Sequence, residues 1–441
     1  RRQRQMCIRD SYYGEFRNLC NQYGLVSYCE PYDRGPMEEL QIGSRVDGVM
    51  GEFWNGLSAI FQNNLMMRRT TKLASSIAHI NGQKVVGAEA YTSEPESGRW
   101  QEYPFALKAV GDKAFTEGIN RMVIHRYAMQ PHPDAAPAMT LGPWGIHFDR
   151  TNTWWEPGRA WIDYLNRCQT LLQEGLFVAD FAYFTGDNIV GYTKVHRRDL
   201  NPVPPEGYDY DLMNTETLLN RAWVERGRLR LPDGMNYRVL VLQEQSHITL
   251  GLLRKLRNMV EQGLIIVGAR PQQTVGLQSY SVIEEKEFEQ LCDELWGKAA
   301  TTVVDRSVGK GRIFWETSLN LEQVLEKIQL RPDFEVITDS ISAPIRYIHR
   351  QIGEADVYFV ANQQRTSKEL ICNFRVKGKI PEFWNPISGE RTRAMVYQTN
   401  EETISVPVQL EAYGSVFVVF RSDLPEQKAI RSIHKLSLIH I

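Results

Sequence analysis

A chain of 441 residues is long enough for two or three domains. With 42% hydrophobic and 24% charged residues it has an ordinary globular composition, and it holds no apolar run of membrane-spanning length. A formal charge of −2 leaves no electrostatic footprint for nucleic acid, and six scattered cysteines without a CxxC pair argue against a structural zinc site.

Both ends read as foreign strings. Residues Arg1–Ser11 spell RRQRQMCIRDS and Leu436–Ile441 spell LSLIHI. Residues 1–11 and the end of a tail at 426–441 are therefore expected to be artefacts of sequence assembly. Inside them the chain alternates helix and strand. An amphipathic stretch at Phe16–Tyr23 runs into the strand Leu25–Glu30, and a second strand, Val46–Phe53, ends at Glu52. Apolar residues at Leu73, Ala74, Ile77, Ala78 and Ile80 predict a helix over Thr71–Asn81, stopped by Gly82. Strand Lys84–Tyr91, helix Phe105–Glu117, strand Asn120–Tyr127, helix Ala160–Gln173 and strand Leu176–Phe184 follow, with Gly118 and Gly175 as stops. Each helix reads as a crossover between parallel strands. About five such units are visible where a closed barrel needs eight. The segment 12–200 is thus an open doubly wound sheet or, as the foreign N-terminus favours, the C-terminal part of a (β/α)8 barrel.

The Pro-rich stretch Asn201–Pro205 opens a small Rossmann-like α/β domain over 201–335. Its strand Tyr237–Gln243, helix Leu250–Gln262 and strand Leu264–Gly268 lack a GxGxxG loop, so it is no nucleotide site. From about Ile345 the period changes to two. The runs Asp356–Asn362, Glu369–Phe374, Thr403–Val408 and Ser415–Phe420 predict a C-terminal antiparallel β-sandwich over 336–425. The fold class is α/β plus all-β.

In a barrel the catalytic groups stand at the C-terminal ends of strands. Those ends carry Glu30, Glu52, Glu89 and His125, with Asp187 after the last strand. Paired carboxylates are what glycoside hydrolysis needs, one to protonate the leaving oxygen and one to activate water or attack. Any one such glutamate is as readily a cap or a salt-bridge partner. Trp54, Trp100, Trp144, Trp154 and Trp155 lie outside periodic segments, as sugar-stacking rings do. Trp161 and Trp223 fall at helical spacing and read as core, and Cys20, Cys29 and Cys168 read as buried thiols. The long irregular segment Tyr127–Trp155 has the length of a functional loop, with His125, His132 and His147 in or beside it. Without HxH or HxxxH spacing these histidines do not read as metal ligands.

The strings DGVMGEFW (Asp47–Trp54), SSIAHINGQKVVGAEAYTS (Ser75–Ser93), WQEYPFALK (Trp100–Lys108), GINRMVIHRYAMQP (Gly118–Pro131), GPWGIHFDRTNTWW (Gly142–Trp155) and YLNRCQTLLQEGLFVADFAYFTGD (Tyr164–Asp187) resemble, in order and spacing, glycoside hydrolase family 106, the α-L-rhamnosidases. Later segments, EGYDYDLMNTETLL (Glu206–Leu219) and GSVFVVF (Gly414–Phe420), agree. The resemblance implies an inverting, calcium-dependent hydrolase of terminal α-L-rhamnosides, exported to the periplasm or medium. It places the general base on Glu89 and a second essential carboxylate on Glu52, leaving Glu30, Trp54, His125, Trp144, His147, Trp154, Trp155 and Asp187 to line the sugar site; it names no calcium ligands. The family's general acid belongs to a D-x-W-E-like motif on an earlier strand, and none occurs among the 51 residues before Glu52. By itself the chain is therefore expected to be inactive. Two other readings stand beside this one. One is a retaining, β-galactosidase-like enzyme using Glu52 and Glu89 as acid and nucleophile. The other is a non-catalytic carbohydrate-binding scaffold.

Overall fold

The computed structural model describes residues 7–32, 37–55, 70–95, 98, 100–136, 139–140, 142–187, 193–243, 246–275, 282–298, 304–316, 320–337 and 344–423. The terminal strings at 1–6 and 424–441 lie outside the described residues, while Cys7–Gly14 forms a helical turn whose Arg9 lies 3.6 Å from Glu216.

Four parallel strands form the first sheet, in the order β1 (Tyr28–Cys29), β2 (Gly48–Asn55), β3 (Val86–Ser93) and β4 (Arg121–Ile124). Helices Thr70–Asn81 and Pro104–Thr116 are the crossovers after β2 and β3, each ended by a glycine at positive φ, Gly82 and Gly118. One face of the sheet is dry: Val49, Phe53, Val86, Ala88 and Ala90 are buried with Leu73, Ile77 and Phe115 of the helices. The opposite face carries Tyr28 and Val123, 37% and 45% exposed. Arg121 of β4 donates to the Tyr28 hydroxyl of β1 at 2.8 Å. Tyr28 and Arg121 thus lean over the open face and meet across the two intervening strands.

The helix Thr70–Asn81 is buried on every side, because it lies between β2 and the strand Tyr210–Met213 of the next sheet. Its polar residues are paired: Ser76 and His79 bond Asp211, and Lys72 bonds Asp209, at 2.8–3.1 Å. Burial of this kind is stable only when such groups are satisfied.

The second sheet orders its strands as Val304–Val308, Gly311–Trp315, Ile265–Gly268, Val239–Gln243, Phe181–Phe184 and Tyr210–Met213, all parallel except the first pair. The segment read as a fifth strand of the first sheet, Leu176–Phe184, therefore belongs elsewhere. It divides: Leu176–Phe177 pairs antiparallel with Arg350 and Gln351, and Phe181–Phe184 enters the second sheet. Between them the carbonyl of Asp180 accepts from the Arg238 and Val239 amides, which starts the second ladder. A short apolar run signals a buried strand but not which sheet it joins.

Antiparallel strands follow in two sheets of four and six strands. Phe334, Tyr358, Phe374, Val406 and Phe420 share the core between them. Of the residues read as core, Trp161 and Cys168 are buried, Cys20 and Cys29 are half-buried, and Trp223 is a correction. It lies 42% exposed on a short strand, Trp223–Glu225, whose antiparallel meander periodicity did not reveal.

A buried charge cluster ties the second sheet to the antiparallel sheets. Arg375 reaches both Asp180 oxygens at 2.9 Å, and His349 bonds Asp333 and Asp356 at 3.0–3.1 Å. Burial alone would lower the His349 pKa, but the two carboxylates outweigh it and push it up to about 9. An unfolded histidine titrates near 6.5, so the stabilisation is complete below about pH 6.5 and is lost as pH rises through about 9. The denaturant midpoint of the protein should fall between pH 7 and 9.5, and H349Q should be less stable but lack that step. Identical pH slopes for the two proteins would refute the assignment.

Candidate active site

The site grows out of the C-terminal halves of β2, β3 and β4. In the β2–β3 ladder Met50 pairs with Gly87 and Glu52 with Glu89. Side chains alternate across a strand, so Glu52 and Glu89 share the open face turned away from the helices. Neighbouring strands run about 4.8 Å apart, and the register therefore sets the two glutamates side by side. Glu30 follows β1, whose Tyr28 pairs with Gly48, and so falls in phase on the same face.

Because β1 is only two residues long, it cannot satisfy the backbone of Glu52. The Thr70 hydroxyl does so instead, accepting from the Glu52 amide at 2.9 Å and donating to its carbonyl at 2.7 Å. Gly51 permits this approach: a Cβ there would come within 2.7 Å of the Thr70 carbonyl oxygen. The GEFW string thus encodes a backbone fit as well as a carboxylate.

Beyond Glu89 the ladder slips. Phe53 pairs with Ala90 but Trp54 pairs with Thr92, leaving Tyr91 as a bulge residue at φ +65. Holding a bulky residue there costs about 1–3 kcal/mol. The Tyr91 ring is fully buried on the helix side, 4.9 Å from Phe53 and 5.3 Å from Trp161. Thr92 consequently comes round to the site face, and its hydroxyl donates to Glu89 Oε1. His125, just past β4, brings Nδ1 to 3.8 Å from the same oxygen.

The carboxyls sit in different environments. Burial, then the charges of Glu89 and Glu30, push Glu52 up to about 7. Glu30 is exposed as a residue, yet desolvation at its carboxyl and then the Glu89 charge raise its pKa too. The Tyr32 phenol, raised by burial and then by Glu52, Glu30 and Glu89, lies in the same field.

The loop after β4 is pinned to the site. Arg126 donates to the carbonyls of Gly142 and Trp144, Gly145 donates to Ser93 at 2.8 Å, and Ile146 donates to His125 at 3.0 Å. Trp144, 44% exposed, is thereby set edge-on to Trp54 with 5.7 Å between ring centroids. His147 stacks on Trp100 at 3.7 Å, with its pKa lowered by burial and then by Arg126. Glu30, Glu52, Trp54, Glu89, His125 and Trp144 therefore gather at one open face.

Three residues read as sugar-binding are placed elsewhere. Trp154 and Trp155 pack on Phe148 at 5.8 and 5.0 Å, and the Trp154 indole donates to the Glu102 carbonyl at 2.8 Å. Loop packing engages both rings. Asp187 follows the Phe181–Phe184 strand of the second sheet, where it accepts from the Thr215 hydroxyl and from the Thr249 amide at 2.9 Å. Sequence reading passed over Tyr32, Thr70 and Thr92. Only Thr92 carried a signal, as the hydroxyl three residues beyond Glu89.

The glycoside hydrolase 106 family, described as alpha-L-rhamnosidase, matches residues 1–399. The chain belongs to glycoside hydrolase family 106, the alpha-L-rhamnosidases. The solved rhamnosidase from Novosphingobium sp. PP1Y superposes with a TM-score of 0.85 at 30% identity, over 97% of this chain and 40% of that one. A Formosa agariphila protein with a provisional beta-glucuronidase name is 37% identical over 96% of this chain and 33% of its own length. The chain thus spans a third to two fifths of these relatives. The GH42 beta-galactosidase Gan42B of G. stearothermophilus shares the fold alone, with a TM-score of 0.55 at 10% identity over 91% of this chain and 64% of that one. The matched span includes the first eleven residues, which sequence reading had set aside.

The raised Glu52 carboxyl has a thermodynamic consequence. A carboxyl at about 7 in the folded state and about 4.5 in the unfolded one makes stability fall as pH rises from 4.5 to 7. E52Q should therefore resist denaturant better than the parent at pH 8, and the difference should disappear near pH 4. Lower stability of E52Q at pH 8 would count against this account.

Proposed function

We propose that the open face of the first sheet is part of the active site of an inverting α-L-rhamnosidase, with Glu89 as the general base. The observation that carries this reading is the pairing of Glu52 with Glu89 on one face, beside an exposed tryptophan. Glu89, hydrogen-bonded by Thr92, would take a proton from the water that attacks the anomeric carbon. Glu52, poised near neutrality, would hydrogen-bond the sugar or that water. Trp54 and Trp144 form an apolar corner against which a sugar face can stack.

In an inverting enzyme the acid stands about 6.5–9.5 Å from the base, across the scissile bond. Glu52 and Glu89 are neighbours on one wall, so this reading assigns the acid to the opposite wall. The first sheet is then the C-terminal portion of a (β/α)8 barrel, with a Rossmann-like unit and a β-sandwich after it, and the acid lies in the part of the relatives that this chain does not span. Export to the periplasm or medium completes the reading; among the described residues no helix is long and apolar enough to cross a membrane. Calcium comes with the family reading, and no step is routed through it here; among the described residues no three His, Cys, Asp or Glu side chains converge on a possible ion site.

The same register favours a second reading. Adjacent places on neighbouring strands would allow the roughly 5–5.5 Å carboxyl spacing of a retaining pair. The complete protein should release L-rhamnose from an α-L-rhamnoside, and NMR of the first-formed sugar should show inverted configuration; retention would transfer the roles to the second reading. The 441-residue chain alone should be inactive. In the complete protein E89Q should lower the rate on the order of a hundredfold or more, and a normal rate would move the base elsewhere.

A further inference from the structure

We propose that Thr92 is a positioning residue for the base, and that the Tyr91 bulge exists to put its hydroxyl on Glu89. The proposal rests on the reading of Glu89 as base. Regular alternation along β3 would turn residue 91 to the site and residue 92 to the helices. The bulge reverses this: Tyr91 goes into the core and Thr92 comes to the site, paired with Trp54. The helix behind the sheet is cut to match. Gly111 faces the Tyr91 hydroxyl, and a Cβ at that position would approach it to 2.2 Å. Room for Tyr91 is therefore made by the absence of a side chain on the helix Pro104–Thr116.

Thr92 is itself only 2% exposed, and its hydroxyl is committed to Glu89 Oε1. His125 approaches that same oxygen. Among the described residues the protein groups thus gather on Oε1, and Oε2 is the oxygen left to hold a water. A hydroxyl donor fixes the carboxylate in one orientation, and a base must present its free oxygen to the water in a fixed place. The bulge, the buried tyrosine and the missing Cβ on the helix make one device that aims a single oxygen.

The test uses the complete protein and compares T92V, T92S and E89Q. T92V keeps the shape of the side chain and removes the donor. It should lower kcat about tenfold or more with KM within about twofold, because the base is no longer held in its working orientation. T92S should recover the rate. If T92V does not fold, T92A is read in the same way. A T92V protein that melts earlier but keeps the parent kcat would reduce Thr92 to a structural residue and overturn the proposal, while a disabled E89Q would leave the base assignment standing. Parental activity in E89Q would instead remove the base reading and this proposal with it.

Discussion

Parallel pairing of β2 with β3 forces Glu52 and Glu89 into adjacent places on one face, and two like charges at that spacing repel unless their surroundings differ. The structure makes them differ. Glu52 is left with burial and the fields of Glu89 and Glu30, which lift it to about 7. Glu89 receives the Thr92 hydroxyl and the approach of His125. Neighbouring carboxyls with contrasting environments are how one site supplies groups with different proton-transfer roles. The Thr70 clamp, the Tyr91 bulge and the pinned Trp144 loop all hold the strand ends on which this contrast depends.

The rest of the fold supports those ends at a distance. The helix Thr70–Asn81 packs between the first sheet and the second, so the clamp on Glu52 begins a helix buried along its length. Asp211 and Asp209 of the second sheet bond its polar residues, and Lys108, Asp112 and Tyr164 join the outer helices to Ser415 of the antiparallel sheets. Removing one partner of such a buried pair is costly, because it leaves the other uncompensated. Here these pairs fix how the first sheet is seated on the other two.

Much of this was legible in the residues. The helix at 70–81, the strands ending at Glu52 and Glu89 and the later antiparallel runs follow from periods of 3.6 and 2, which depend on neighbours a few residues away. Trp54 and Trp144 were legible as rings outside periodic segments. Trp154, Trp155 and Asp187 were not separable from them, because an aromatic or acidic residue in a loop looks the same whether it faces a ligand or packs on Phe148 or Thr249. Leu176–Phe184 failed for a related reason, since its apolar run fits any buried sheet.

By itself the sequence determined the family, the alternation of helix and strand and the two glutamates at strand ends, because motif order and hydrophobic period are properties of the chain. Tertiary structure alone decided that Glu52 lies beside Glu89, that Asp187 and Trp154 face elsewhere, and that Thr92 rather than Tyr91 meets the carboxylate. Register, bulges and sheet membership are relations between segments distant in the chain, and the pairing of strands sets them.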